Sequence, residues 1–325
     1  MRIAFVGTGN IAKSHAAGLA KMEDVEFVGA HDVRMDRAQA FATQFGGEAV
    51  SDLAEMLDRC KPDAAWVCIP PFAHGEVERA LLERRIPFLV EKPISTNMDT
   101  AREVLDQVLA TDTLVAVGYM NRYRRGINRA KELLADDPAV LVHGAWIGGT
   151  PGVPWWRVRE LSGGQIVEQT THTFDLARYL VGEPTVVYTH GTTGFVQDMP
   201  GYDVEDASAV SVQFANGAVG SLISSCATRT GGGGVQLMVV AVHHVATFTG
   251  WEHAAVIQKS RIEQEQIAGE PNIFELEDRA FLDAVQTGNR ELVRSTYEDG
   301  LKTLAFCLAA THSLGTGAPV EVASL

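Results

Sequence analysis

The sequence predicts an α/β protein in two parts: a doubly wound parallel sheet over residues 1–122, then an α+β domain with a large, open, mostly antiparallel sheet over residues 123–325. Three observations predict it. The chain opens on a strand, a glycine turn and a helix in immediate succession. Apolar runs then alternate with helical patterns to about residue 120, as βαβ units do. Beyond that the runs lengthen and follow one another directly, with Asn216-Gly217 as a hairpin signal between two of them.

Met1 to Val6 is a run of β-formers, and Gly7-Thr-Gly-Asn-Ile-Ala12 follows it, opening a helical pattern through Lys13, His15 and Leu19. In that context the spacing reads as a dinucleotide fingerprint. Gly7 permits the tight turn, Gly9 lets backbone N–H groups approach a pyrophosphate, and Ala12 lets the helix pack on the strand. Gly7, Thr8, Gly9, Asn10 and Ile11 are the candidate phosphate contacts at the helix N-terminus. An ordinary βα turn without ligand is the plainer alternative.

Asp32 ends the next strand-like run, Val25 to Ala30, about twenty residues on, where a carboxylate accepts from the adenosine ribose hydroxyls and repels a 2′-phosphate. NAD is therefore favoured as cofactor. NADP stays open because Arg34 or Arg37 could pair with that phosphate. A helix N-cap is the other reading of Asp32.

Arg37 to Phe45 reads as a helix, and Ser51 with Glu55 as the cap of another. Ala64 to Ile69 is nearly all apolar, as a strand buried on both faces must be, and Pro70-Pro71 stops it. A helix (His74 to Arg84), a strand (Pro87 to Val90), a helix (Met98 to Leu109) and a strand (Leu114 to Val117) complete this half. Its unusual residues all fall just past strand ends, the edge where open α/β sheets bind ligands. In the second half we read helices over 124–134, 173–181, 275–286 and 297–312, the last begun by a Ser295/Glu298 capping box. Strands are read over 140–147, 185–193, 207–214, 218–226, 235–242 and 245–249, with Gly231 to Gly234 as a loop.

At 325 residues the chain can hold two cores, and its 46% hydrophobic and 21% charged content is ordinary for a globular protein. Its 27 Lys and Arg against 41 Asp and Glu leave a net charge of −14, which argues against nucleic acid or an anionic membrane as partner. Cys60, Cys68, Cys226 and Cys307 show no zinc spacing, and no metal is expected. With no signal-peptide pattern and no membrane-length apolar run, a reduced, cytoplasmic setting is the expectation.

Two places can carry chemistry. Lys92 follows a buried strand, flanked by Glu91 and Pro93, and a partly desolvated ammonium there can hold a substrate hydroxyl and stabilise alkoxide charge. A plain turn lysine is the alternative. Glu168 and His172 are four apart and share a face if the stretch is helical, so the carboxylate can favour the charged imidazole as it takes a proton. The alternative is a helix-start histidine, with Asp175 and Arg178 as a local ion pair.

Gly7 to Ala12, Glu91-Lys-Pro93, Gly118-Tyr-Met-Asn-Arg122 and Gly163 to His172 followed by Phe-Asp-Leu-Ala-Arg178 together resemble the glucose-fructose oxidoreductase / inositol dehydrogenase (Gfo/Idh/MocA) family of NAD(P)-dependent oxidoreductases, in order along essentially the whole chain. The resemblance implies a Rossmann domain, then a substrate domain whose open sheet often serves oligomerisation, here as homodimer or homotetramer. It implies hydride transfer at a carbon bearing a hydroxyl in a sugar, inositol or related polyol. It makes Lys92 the residue contacting substrate and nicotinamide, and His172 the acid/base. Glu168 stands where many members carry Asp. Ile69, Pro70, Pro71 and His74 match the segment beside the nicotinamide ribose, with Glu91 at the same edge. Arg122 and Gln169 are candidate substrate contacts.

Trp155 and Trp156 could stack on sugar C–H faces or pack as a buried pair, and Arg157 and Arg159 could bind a substrate anion or simply be surface charge. His243, His244 and His253 lack a partner at ligand spacing and read as hairpin residues. Two rival functions share the motifs: a redox-neutral enzyme that oxidises, eliminates and reduces again, and a non-catalytic NAD(P)-binding regulator.

Overall fold

The computed structural model describes residues 1–325. In the first half, apolar strands alternate with amphipathic helices: β1 (Arg2–Val6), α1 (Asn10–Leu19), β2 (Glu26–His31), α2 (Met35–Phe45), β3 (Glu48–Ala49), α3 (Leu53–Cys60), β4 (Ala64–Val67), α4 (Glu76–Glu83), β5 (Phe88–Val90), α5 (Met98–Thr111) and β6 (Val115–Val117). All pair in parallel in the order β3-β2-β1-β4-β5-β6, a Rossmann sheet. β4, β5 and β6 are buried at every position, because helices cover both faces.

The second half opens with α6 (Arg125–Leu134) and β7 (Leu141–Ile147). Short helices α7 (Arg159–Ser162) and α8 (Gln165–Glu168) and the longer α9 (Thr171–Val181) follow. Then come β8 (Pro184–Thr192), β9 (Ala207–Phe214), β10 (Val219–Ser225), β11 (Gly234–Val240), β12 (Val245–Thr249), β13 (Ala254–Gln258) and β14 (Gln264–Ile267). With a C-terminal β15 (Val320–Glu321) they form a nine-stranded sheet ordered β14-β13-β12-β11-β7-β10-β9-β8-β15, antiparallel except for β7 against β10. Asn216-Gly217 makes the expected β9–β10 turn, Gly217 at φ +89° and the Asn216 Oδ1 accepting from Ala218 N at 3.0 Å.

By contact the chain divides into one unit of Met1–Met120 with Asn272–Leu301 and another of Asn121–Pro271 with Lys302–Leu325. The sequence pattern places everything after 122 in the second part. Residues 272–301 instead join the first unit because α10 (Ile273–Thr287) contributes Phe281, Leu282 and Ala284 to the core of Ile3, Phe5, Trp66 and Leu89. α11 (Tyr297–Thr316) follows.

Two caps lie one residue beyond their expected place. Asp52, not Ser51, caps α3 by accepting from Glu55 N at 2.7 Å, and the Thr296 hydroxyl, not Ser295, accepts from Asp299 N at 3.3 Å at the start of α11. No helix is long and apolar enough to cross a membrane. All four cysteines are buried and free of disulfides.

Candidate active site

At the head of β1, Gly7 turns at φ +83° and donates to His31 O at 2.8 Å. A Cβ there would stand 2.3 Å from the carbonyl oxygen of Cys68, so only glycine lets the turn come this close to the end of β4. Gly9 is the N-cap of α1. It brings no capping side chain, the first turn holds no acidic residue, and nothing lies within 4 Å of where its Cβ would be. The opening N–H groups of α1 therefore lack a side-chain acceptor while the positive end of the helix faces open space beside Gly9. That is the donor set a pyrophosphate needs, and Thr8, Asn10 and Ile11 lie in the same turn.

Asp32 is tied to this turn. Its Oδ2 accepts from both Thr8 N and Thr8 Oγ1 at 2.9 Å, and its Oδ1 from Arg34 N at 2.9 Å. The Arg34 guanidinium pairs with Asp36, Nη2 to Oδ2 2.7 Å, at the exposed start of α2. After β4, Ile69 and Pro70 are partly exposed, and Pro71 is buried in a 3-10 turn. His74 closes that turn with Nδ1 2.5 Å from Glu78 Oε1, while Glu78 Oε2 accepts from Gly75 N at 2.6 Å. Burial pushes the Glu78 carboxyl up, but His74 and the N–H groups hold it below its usual range. The buried Nε2 of His74 has no protein partner, which leaves one ring nitrogen for a ligand.

Glu91 and Lys92 follow β5, with a cis bond between Lys92 and Pro93. Lys92 is part-buried, and its N–H donates to Glu91 Oε2 at 3.2 Å. The Glu91 Oε1 lies 2.9 Å from Nε2 of His15 on α1, whose Nδ1 lies 2.7 Å from Asp278 Oδ1 on α10. Trp66 Nε1 donates to the same Asp278 oxygen at 2.8 Å. Burial works against charge on His15, but Asp278 and Glu91 outweigh it and raise its pKa well above the ordinary value. Ligand atoms of His15, Glu91 and Glu277 lie within 4.8 Å of one another, a spacing a metal could use. A doubly protonated imidazole has no lone pair to offer one. Nothing local in the sequence marks His15, since its partners are 76 and 263 residues away.

In the second unit the Glu168–His172 stretch is not one helix. α8 ends at Glu168 and α9 begins at Thr171, so the shared helical face the spacing suggests does not form. Trp156 Nε1 donates to Glu168 Oε2 at 2.5 Å, and Trp156 itself is buried with Val204 and Cys226, Trp155 packing against them. Trp156 is thus a core residue that orients a carboxylate, with Trp155 partly buried against it. Gln169 is half-buried and accepts from Gln165 Nε2 at 3.3 Å.

His172 sits in the first turn of α9, 4% exposed. The helix lies so close to β7 that a Cβ on Gly144 would stand 2.3 Å from Thr173 Cγ2. This closeness stacks the His172 ring on Trp146, centroids 5.7 Å apart and planes at 18°, while Trp251 stands at right angles to both. The sequence reading missed Trp146 and Trp251, because only the packing of β7, α9 and the turn after β12 brings 146, 172 and 251 together.

Arg122 is committed to a buried two-bonded pair with Asp175, Nε to Oδ2 2.9 Å and Nη2 to Oδ1 2.6 Å, and lies over the Tyr179 ring. Asp175 therefore pairs with Arg122, not with Arg178, which turns to Glu183 and Thr303. Arg159 pairs with Glu205 at 2.8 Å. His243 and His244 flank Asp137 in the β11–β12 turn, and His253 is buried, its pKa pushed down to about 4 by burial and then by Arg124.

A family profile described as an oxidoreductase family with an NAD-binding Rossmann fold matches residues 1–119, and one described as the GFO/IDH/MocA C-terminal domain matches residues 138–245. The chain is 28% identical over 228 residues to myo-inositol 2-dehydrogenase of Thermotoga maritima, covering 69% of this chain and 68% of that one. It is 30% identical over 239 residues to D-glucoside 3-dehydrogenase of Escherichia coli, covering 67% and 68%. The solved structure of levoglucosan dehydrogenase with NADH superposes with a TM-score of 0.87 at 18% identity over 99% of both chains, a likeness of fold.

Proposed function

We propose, from the premise that this chain belongs to the Gfo/Idh/MocA family of NAD-dependent oxidoreductases, that it oxidises a secondary hydroxyl of a sugar, inositol or related polyol, or runs the same step in reverse. The open N-terminus of α1, with Asp32 beside it, holds the dinucleotide: backbone N–H groups take the pyrophosphate and the Asp32 carboxylate the adenosine ribose. NAD, when bound, supplies the ring that accepts hydride.

The chain supplies the proton chemistry. His172 Nε2 or Nδ1 accepts the hydroxyl proton as the C–H bond breaks and the C=O bond forms, and Lys92 donates a hydrogen bond to that oxygen. Glu168, fixed by Trp156, supplies the negative charge that favours the imidazolium. The observation that carries this reading is His172 itself, an imidazole held in one orientation by Trp146 at the start of α9. Four buried free thiols support a reducing compartment. The open sheet face carrying Leu141, Val219 and Val256, all exposed, supports self-association, which light scattering tests.

The test is absorbance at 340 nm with NAD and NADP separately, across inositols, aldoses, sugar acids and glycosides, for wild type and Lys92→Ala. Substrate-dependent reduction that Lys92→Ala lowers by about 10² or more supports the reading. Glycoside cleavage without net reduction, or cofactor binding alone, overturns it.

A further inference from the structure

Trp251 has no role in the reading above, yet it stands 6.5 Å from His172 and 5.7 Å from Trp146, at 86° and 87° to their planes. It is 48% exposed. A single exposed indole is ordinary on a protein surface; this one is distinguished by lying against the candidate proton acceptor, where a ligand can cover it. Trp156, by contrast, is sealed in the core with its N–H satisfied.

The turn that carries Trp251 is built to hold it still. Arg124, fully buried, donates from Nη2 to Trp251 O and from Nη1 to Glu252 O and Glu270 O, each at 2.8 Å, while its Nε donates to Asn121 Oδ1 at 2.7 Å. His253 follows in the left-handed region at φ 52°, its Nδ1–H donating to Trp251 O at 3.1 Å. Gly250 precedes it at φ +74°. Two donors thus converge on the carbonyl of the one exposed aromatic beside the candidate proton acceptor. Binding a ring against a surface fixed in advance costs less entropy than ordering that surface on arrival.

We propose that Trp251 is a substrate-contacting, specificity-determining residue, its open indole face stacking on the C–H face of a ring substrate while His172 takes the hydroxyl proton. Axial C–H groups of a pyranose or cyclitol form a flat apolar face that matches an indole. An open-chain polyol presents no such face and must freeze several torsions to imitate one. Trp251 therefore favours rings over chains at equal hydroxyl content. The inference rests on the proposed dehydrogenase activity and deepens it.

The test compares Trp251→Leu and Trp251→Phe with wild type, all NAD-loaded, on the best cyclic substrate of the panel and on sorbitol and xylitol as substrates or competitive inhibitors. Trp251→Leu is expected to raise KM for the ring about tenfold, equivalent to about 1.4 kcal/mol. Expected alongside are kcat within about twofold, acyclic constants unchanged, and most of the loss recovered in Trp251→Phe. Unchanged KM for the ring, an equal loss for rings and chains, or a fall in kcat alone overturns the proposal. Should Trp251→Leu not fold, saturation transfer from indole protons to the ring C–H protons in wild type decides it, and its absence with ligand bound is fatal. If no panel member reduces NAD, the dehydrogenase reading fails by itself. Calorimetric binding of the same rings to the NAD-loaded proteins then still judges Trp251.

Discussion

Arg122 and Asp175 form a buried pair joined by two parallel hydrogen bonds, with Thr303 Oγ1 also donating to Asp175 Oδ1 at 3.0 Å. Taking one partner away strands a charge in the core at a cost of about 3–5 kcal/mol. Arg122→Met or Asp175→Leu should each lower the urea midpoint sharply, and the double substitution should recover much of the loss. If Arg122→Met keeps its midpoint and raises KM alone, Arg122 is a substrate contact.

Asp32 accepts from both the backbone N–H and the hydroxyl of Thr8 in the fingerprint turn, the place we propose for the adenosine ribose. Asp32→Ser removes the carboxylate that repels a 2′-phosphate and leaves Arg34 nearby. The ratio of kcat/KM for NAD over NADP is expected to fall by about tenfold or more, from a charge effect on the order of 1–2 kcal/mol. An unchanged ratio would show that Asp32 serves only the turn.

The fully buried His15 carries a pKa raised above its unfolded value, despite burial, by Asp278 and Glu91. The sign follows from linkage: the folded state binds the proton more tightly. The stabilisation is fully present below about 6.5, the unfolded value, and is lost as pH rises through the raised folded value. Chemical denaturation of wild type and His15→Gln from pH 6 to pH 10 should show the gap between them shrinking with pH. A constant gap would mean His15 acts by shape.

Trp156→Phe removes the N–H that Glu168 accepts and, because Trp156 is fully buried, also leaves a cavity where the rest of the indole packed. A stability loss on the order of 2–3 kcal/mol is expected, the hydrogen bond and the lost packing together. If Glu168 assists His172, kcat falls while KM holds. A change in stability alone would confine Glu168 to the core.

Much of this molecule is legible in sequence because its signals are local. Gly7, Gly9 and Asp32 report one turn and one strand end, and the apolar runs at Ala64 and Phe88 report burial on both faces. What was not legible is long-range or weakly patterned. β3 is two residues long, β14 reads Gln-Glu-Gln-Ile with no apolar alternation, and β15 is another two-residue edge. His15 looked like one more residue of an amphipathic helix, yet Asp278 makes it a charged core group. Nothing local in the sequence marks Trp251, and only the packing of β7, α9 and the turn after β12 sets it beside His172. Spacing of four between Glu168 and His172 suggests one helical face, but the helix is interrupted at Gln169 and Thr170 between α8 and α9.

The central claim is that His172 takes the hydroxyl proton. The most direct measurement is the pH profile of kcat for NAD reduction, wild type beside His172→Gln. The account expects a wild-type rate that falls on the acid side as the imidazole is protonated, and a variant slower by about 10²–10⁴ in which that acid limb is gone. A His172→Gln enzyme that keeps both the rate and the limb would contradict it.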